Sequence, residues 1–279
     1  MPVKIVTDSV ADLPAQVVDE LGITVIPVLL RFGEELYRDG IDMTTDQFYD
    51  RLKQSKFLPS TSVPAPVAFA ETYDKLAEET DEILVITVTS RLSGIHDVAS
   101  QSVGLMKRKC RVEVIDSQWA VMPQGFIVIR AAQAAQAGAR FDEVLDTVHS
   151  TIPRVDMRAA FDTLEYLKKG GRIGRAAALM GSLLRVNPLI TLKDGVVEPA
   201  GRTRSRAKAM DILYDFAAGY SNIEEMAVEA AACPDDADLL VERLGALFPK
   251  ERIYRTRTTP VIGTHTGPGL LLLAILGDK

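Results

Sequence analysis

Four short runs of apolar, largely branched residues, Val3–Thr7, Thr24–Phe32, Ile83–Val88 and Val112–Ile115, punctuate the first half of the chain. They read as strands buried on both faces, which are apolar nearly throughout rather than alternating. Helical stretches lie between them, around Pro14–Leu21, Thr45–Gln54, Val67–Thr80 and Ile95–Lys107, and Met122–Ala137 and Phe141–Thr151 follow the last run. Such alternation predicts a doubly wound parallel α/β sheet, because each parallel pair needs a crossover and a helix supplies it. Sheets of this kind take ligands beyond the C-terminal ends of their strands. Three polar clusters fall there: Thr7-Asp8-Ser9, Thr89-Ser90-Arg91-Leu92-Ser93-Gly94 and Asp116-Ser117. Ser and Asp also cap helices, so one such cluster carries little weight. Three at equivalent strand ends predict a shared rim.

The second half changes pattern near Pro153, which divides the chain into an N-terminal α/β domain, 1–153, and a C-terminal α/β domain with a mixed sheet, 154–279. Arg158–Phe161 reads as a strand, and the helix over Leu164–Lys169 is stopped by Gly170-Gly171. Pro188–Leu192 and Val196–Ala200 flank Lys193-Asp194-Gly195, a hairpin pattern because Asp-Gly suits a type I′ turn. A helix over Arg206–Ala217, a strand at Met226–Ala230, a helix near Asp238–Leu247 and a strand at Arg252–Arg255 follow. Last come a strand at Pro260–Thr264, the turn His265-Thr266-Gly267-Pro268-Gly269, and a helix opened by Pro268 over the apolar run Leu270–Leu276. That reading sets His265 at a helix N-terminus, where free N–H groups would favour an anion.

Composition excludes several classes. The 279 residues, 47% of them hydrophobic, suffice for one large core or two modest ones. No run reaches the roughly 18 apolar residues of a membrane span. The chain opens directly into a strand pattern, unlike a signal or transit peptide. Cys110 and Cys233 are isolated, which fits a reduced, cytoplasmic protein without structural zinc. Walker A, Gly-x-Gly-x-x-Gly, His-Glu-x-x-His and Gly-x-Ser-x-Gly patterns are absent, so no nucleotide, metal or other cofactor is expected. Net charge is −6, yet Lys168–Lys208 holds ten Lys or Arg against Asp194 and Glu198. With aromatics at 6% and none interleaved in that basic run, nucleic acid is a poor candidate.

Five segments acquire meaning together: Thr7–Pro14, Ser60-Thr61-Ser62-Val63-Pro64-Ala65-Pro66, Ser90-Arg91-Leu92-Ser93-Gly94, Asp162–Gly174 with its Lys-Lys-Gly-Gly-Arg core, and the His265 turn. In this order and spacing they resemble the DegV family of bacterial fatty-acid-binding proteins, over nearly the whole chain. The resemblance implies a two-domain α/β protein holding one long-chain fatty acid, its carboxyl group near the domain interface. The implied head-group residues are Thr61, Ser93 and His265, with Ser62 and Gly94 beside them. It implies no catalytic residue, and in some members a separate fatty acid kinase that phosphorylates the presented carboxylate. Arg172 and Arg202, expected to project from loops, are the candidates for docking that kinase. The chain departs from many relatives at Ile95-His96 and at Gln118-Trp119-Ala120-Val121-Met122-Pro123, where bulk near the pocket would shorten or bend the acyl tunnel.

An enzyme reading stands beside this one: a hydrolase or acyl-transferase with Ser93 as nucleophile and His265 as base. It needs an acid to orient His265, and the sequence offers no clear one. A small-substrate kinase, by distant likeness to dihydroxyacetone kinases, lacks a phosphate loop.

Overall fold

The computed structural model describes residues 2–180 and 186–279. Arg185, one of the ten cations of the basic segment, lies outside them.

The chain starts with β1 (Lys4–Asp8), α1 (Ala15–Leu21) and β2 (Thr24–Ile26). Next come β3 (Leu29–Phe32), β4 (Glu35–Arg38), α2 (Thr45–Gln54), β5 (Ser60–Ser62) and α3 (Pro66–Leu76). β6 (Glu82–Thr87), α4 (Ile95–Val103), β7 (Arg111–Asp116), α5 (Val121–Gln136) and α6 (Phe141–Thr151) complete the first half. The second half runs β8 (Val155–Ala160), α7 (Glu165–Lys169), β9 (Asn187–Lys193), β10 (Val196–Thr203) and α8 (Arg206–Ala218). It ends with β11 (Asn222–Ala230), α9 (Pro234–Leu244), β12 (Ile253–Arg257), α10 (Pro260–Thr266) and β13 (Leu271–Asp278).

These strands build three sheets. A four-stranded parallel sheet has the order β2-β1-β6-β7, and a six-stranded mixed sheet has the order β10-β9-β8-β13-β11-β12. A small antiparallel sheet, β4-β3-β5, was not foreseen. The mixed α/β class and the parallel sheet are as the sequence predicts. At the strand ends, Asp8 accepts from the Val10 and Val88 amides (3.0 and 2.8 Å), and Asp116 accepts from the Ser90 and Gln118 amides (3.1 and 2.7 Å). The three polar clusters are thus tied into one rim by their carboxylates.

The helix α5 sits between the sheets. It packs against β1 and β6 on one side and against β8, β11 and β13 on the other, and most of its length is buried. A helix apolar over most of its circumference is stable in such a place. Along β13 the sidedness has period two: Leu272, Ala274 and Leu276 join the core shared with α5, whereas Leu271, Leu273 and Ile275 face a second core under α8 and α9.

Three expectations need correction. Thr24–Phe32 is not one strand: Pro27 has no N–H for a ladder, the Val28 amide turns to Ser9 Oγ (3.1 Å), and the chain passes from the parallel sheet to the small one. Pro260–Thr264 is not a strand but most of α10, with Pro260 at the first helical position, where its missing donor costs nothing. The Leu270–Leu276 run is not a helix but lies mainly in β13, a central strand buried on both faces. Periodicity alone cannot separate such a strand from a buried helix segment.

Phe126, fully buried on α5 and stacked near Tyr254 of β12, tests the role of this helix. Phe126→Ala should cost about 3–5 kcal/mol. Urea unfolding followed by far-UV circular dichroism and by the single tryptophan, Trp119, should show coincident transitions at a lower midpoint.

Candidate functional site

Between the two large sheets, at the start of α5, lies an apolar cavity. The centre of a water-sized sphere can reach about 110 Å³ inside it, far more than the ~10–15 Å³ that one water needs. Its walls come from both halves of the chain: Val10, Val88 and Val121 on one side, Met157, Ile190 and Leu272 on the other. Against this apolar lining stand Thr61, Ser93, Arg172, His265 and Thr266. The Thr266 hydroxyl is spent on the Ile262 carbonyl at 3.0 Å, inside α10.

Of the other four polar residues, two are joined directly. Thr61 Oγ1 and His265 Nε2 are 2.9 Å apart. Thr61 is held by β5, paired with Leu30 of β3. His265 occupies the last turn of α10, so the helix N-terminus expected beside it is not there. Ser93 precedes α4, and its Oγ accepts from the Ile95 amide at 3.4 Å, leaving its own proton free to donate. Arg172 reaches back over the cavity. It donates from Nη1 to the Gly170 carbonyl at 2.7 Å and from Nε to the Leu92 carbonyl at 3.4 Å, next to Ser93.

Glycine makes this convergence possible at two places. A Cβ on Gly170 would stand 2.4 Å from His265 Nδ1, so α7 can approach the imidazole only without a side chain there. Gly267 has φ +68, a left-handed value, and a Cβ on it would meet the Tyr166 ring at 2.2 Å. The Lys-Lys-Gly-Gly-Arg segment and the His265 turn are therefore packed as a unit.

Of the five residues singled out for the head group, Thr61, Ser93 and His265 line the cavity, and Ser62 and Gly94 do not. Successive residues on a strand point to opposite faces, so Ser62 turns away where Thr61 turns in. Gly94 is the exposed N-cap position of α4. Arg172 departs from its expected role: it is half-buried at the cavity instead of projecting outward. Its Gly-Gly-Arg context was visible in the sequence, but not its direction. Arg202 lies on β10 and not in a loop, and it is exposed.

Burial first, and then the Arg172 charge, push the His265 pKa down from 6.5 to about 4. The ring is therefore neutral at physiological pH. Its Nδ1 is buried without a hydrogen-bond partner. Buried N–H groups are rarely orphaned, whereas bare acceptors are tolerated more often. The network therefore assigns the proton to Nε2, which donates to Thr61 Oγ1. Thr61 is then left to donate its own proton to whatever occupies the cavity. The arrangement offers hydroxyl donors and one cation, Arg172, and no acid orients the imidazole towards Ser93. No group of acidic, histidine or cysteine residues suited to a metal occurs among the described residues.

His265 should resist protonation until pH falls to about 4, so its contribution to stability is present above pH 6.5 and is lost as pH drops through 4. Imidazole ¹⁵N shifts recorded across that range should report a neutral ring down to about pH 5. Arg172→Ala should raise the midpoint part of the way towards 6.5, since burial remains.

Comparison with known proteins gives one consistent result. The family model described as "Uncharacterised protein, DegV family" matches residues 2–277. A DegV domain-containing protein of Streptomyces coelicolor is 37% identical over 273 residues, 96% of each chain. A DegV family protein from Thermus thermophilus whose structure is described as showing fatty acid binding superposes with a TM-score of 0.91. It is 31% identical, and 99% of this chain and 100% of that one are covered. DegV of Bacillus subtilis, described as a fatty acid binding protein, gives a TM-score of 0.90 at 29% identity with 99% of each chain covered. By sequence over its whole length and by fold, the chain belongs to the DegV family.

Proposed function

We propose that this protein holds one long-chain fatty acid non-covalently, with the carboxylate at Thr61, Ser93 and His265 and the acyl chain along the apolar cavity. The observation that carries this reading is the cavity itself: an apolar interior between the two sheets, with hydroxyl donors and a single cation gathered around one neutral histidine. That lining matches a monoanion with a long alkyl tail. Burying about 14 methylenes at ~0.8 kcal/mol each gives on the order of 11 kcal/mol, so affinity needs no covalent bond. The fatty acids described for relatives support the same ligand class. On this reading the protein is a carrier and not an enzyme, residues 1–153 and 154–279 are two α/β domains with the ligand head group near their interface, and the carboxylate is presented to a separate fatty acid kinase. Among the described residues no helix is long and apolar enough to cross a membrane, and the site of action is taken as the cytoplasm.

Arg172 enters this reading as a companion of the carboxylate rather than as a docking residue, because its side chain is committed to the cavity. Arg202, exposed on β10, keeps the docking role. The enzyme alternative finds no support in the geometry, since His265 meets Thr61 and its far nitrogen faces no carboxylate.

Protein purified from bacteria should carry close to one fatty acid per chain by native mass spectrometry and organic extraction. Repeated recovery of none, with no thermal shift on adding fatty acids of several lengths, would end the reading. Thr61→Val and Ser93→Ala should each weaken binding by about 1–3 kcal/mol, because each strands a carboxylate oxygen without its donor. In a kinase-coupled assay Arg202→Ala should slow phosphorylation more at low salt than at high salt while lipid affinity holds. Normal turnover would return Arg202 to the ordinary surface.

A further inference from the structure

Opposite the head-group cluster, at the other end of α10, three carboxyl groups are buried that nothing in the ligand reading uses. Asp12, Asp39 and Glu229 are 4%, 3% and 0% exposed. They come from three distant segments: the turn after β1, the loop after β4, and β11. All three meet where α10 begins. Asp12 Oδ1 accepts from the Thr259 amide at 3.4 Å, and Asp39 Oδ1 accepts from the Val261 amide at 3.1 Å. Next to them Tyr49 of α2 is bound to the Thr258 hydroxyl at 3.0 Å. The short helix that carries His265 in its last turn is therefore fastened at its start by carboxyl groups.

These acids are not balanced by cations. No ion pair joins any of them to a lysine or arginine among the described residues. Arg257, at the end of β12, is taken by Asp46, and Arg206, near Cys233, by Asp236. The remaining neighbours are Tyr49 on α2, itself near Cys233, the Met122 amide at the start of α5, and the hydroxyls of Ser9, Thr256 and Thr259. Neither Glu229 oxygen, nor Asp12 Oδ2 or Asp39 Oδ2, completes a hydrogen bond, and the Met122 amide and Thr256 hydroxyl near Glu229 offset its burial only in part. Two buried carboxyl groups side by side without a cation resist being ionised together. Burial, and after it the Glu229 charge, raises Asp12 well above the usual carboxylate range, and burial lifts Glu229 to about 7.

We propose that Asp12, Asp39 and Glu229 are positioning residues for the head-group site: a proton held between Asp12 and Glu229 fixes the start of α10, and through that helix the placement of His265 against Thr61. The mechanical link is short. α10 has seven residues, Val261 and His265 both line the cavity, and Val10, two residues before Asp12, lines it from the opposite wall. When the shared proton leaves, two adjacent carboxylates repel across the boundary between the turn after β1 and β11. The helix start then loses its fixed partners, and the cavity walls move apart at the end that holds the carboxylate. A raised carboxyl pKa contributes stability that is complete at low pH and is lost as pH rises through the folded value, so the device loosens on the alkaline side.

The affinity part of the test rests on the fatty-acid reading, whereas the exchange part does not. Hydrogen exchange of the Val261–His265 amides in ligand-free protein, and palmitate affinity, are measured from about pH 6 to about pH 9.5, with exchange corrected for its intrinsic pH dependence. In the wild type, amide protection and affinity should fall together, affinity by about tenfold. Asp12→Asn preserves the Oδ1 acceptor and suits the left-handed φ of 48° at this position, and it removes the titrating proton. It should flatten both profiles. Glu229→Gln should do the same and stands in for it if Asp12→Asn folds poorly. Wild-type profiles that stay flat, or variants that follow the wild-type curve, overturn the proposal. A pH-dependent loss of protection without palmitate binding at any pH supports the positioning role and counts against the fatty-acid reading alone.

Discussion

Over most of its length the helix α5 shows no face to water, only Gln133 and Gln136 near its end being exposed, and the molecule is arranged around that fact. Its residues pack against the parallel sheet and against the mixed sheet at once, so one apolar cluster runs through both halves of the chain. At roughly 25 cal/mol per Å² of apolar surface, shared burial of this kind binds two sheets far more strongly than surface ion pairs can. It also creates the cavity. Where α5 begins, the chain turns through Ala120 and Val121, the latter at φ +53, an unfavourable value for a β-branched residue. The sheets there are kept apart without being filled. Both residues line the space that remains.

The polar groups at that space follow a consistent electrostatic logic. The ring of His265 is buried next to a guanidinium, so it stays neutral and can direct the Thr61 proton instead of competing for charge. Among the described residues Arg172 is the single formally charged one in the cavity lining, and it is held by carbonyls. A carboxylate arriving there meets donors that no internal anion has already claimed. The acids that could have claimed them are gathered at the far end of α10, separated from the cation by the length of the helix.

Much of this was legible in the sequence, and the failures share a cause. The parallel strands could be read because burial on both faces leaves nearly unbroken apolar runs, and the Asp194-Gly195 hairpin because its residues adopt positive φ values of 50° and 76°. β13 has the same unbroken character, yet its sequence reads equally well as a helix, since nothing local distinguishes a central strand from a buried helical turn. β5 escaped notice because Ser60-Thr61-Ser62 carries no apolar alternation; its pairing with β3 makes it a strand. The trio Thr61, Ser93 and His265 was found through family resemblance, as residues separated by up to 204 positions leave no periodic trace. The direction of Arg172 depends on carbonyls at Leu92 and Gly170, and a sequence does not show which way a side chain after two glycines will turn.

The same dependence explains why the buried acids went unseen as a group. Asp12 reads as a turn residue after a strand, Asp39 as part of a loop and Glu229 as a polar residue within an apolar strand, each unremarkable alone. Only the fold brings them to one point, and it does so at a cost, because a carboxyl group without a cation loses hydration on burial that nothing repays. Chains that keep such groups carry a proton inside the fold, and their stability must then fall as pH climbs through the raised pKa values of about 6 for Asp8 and Asp39 and about 7 for Glu229. His265 acts in the opposite sense over a lower range, losing its contribution as pH drops towards 4. The two ends of α10 therefore set opposing limits. Acid reaches the helix through the imidazole, alkali reaches it through the carboxyls, and between those limits the head-group site has a neutral histidine, a fixed helix and the Arg172 charge held by carbonyls.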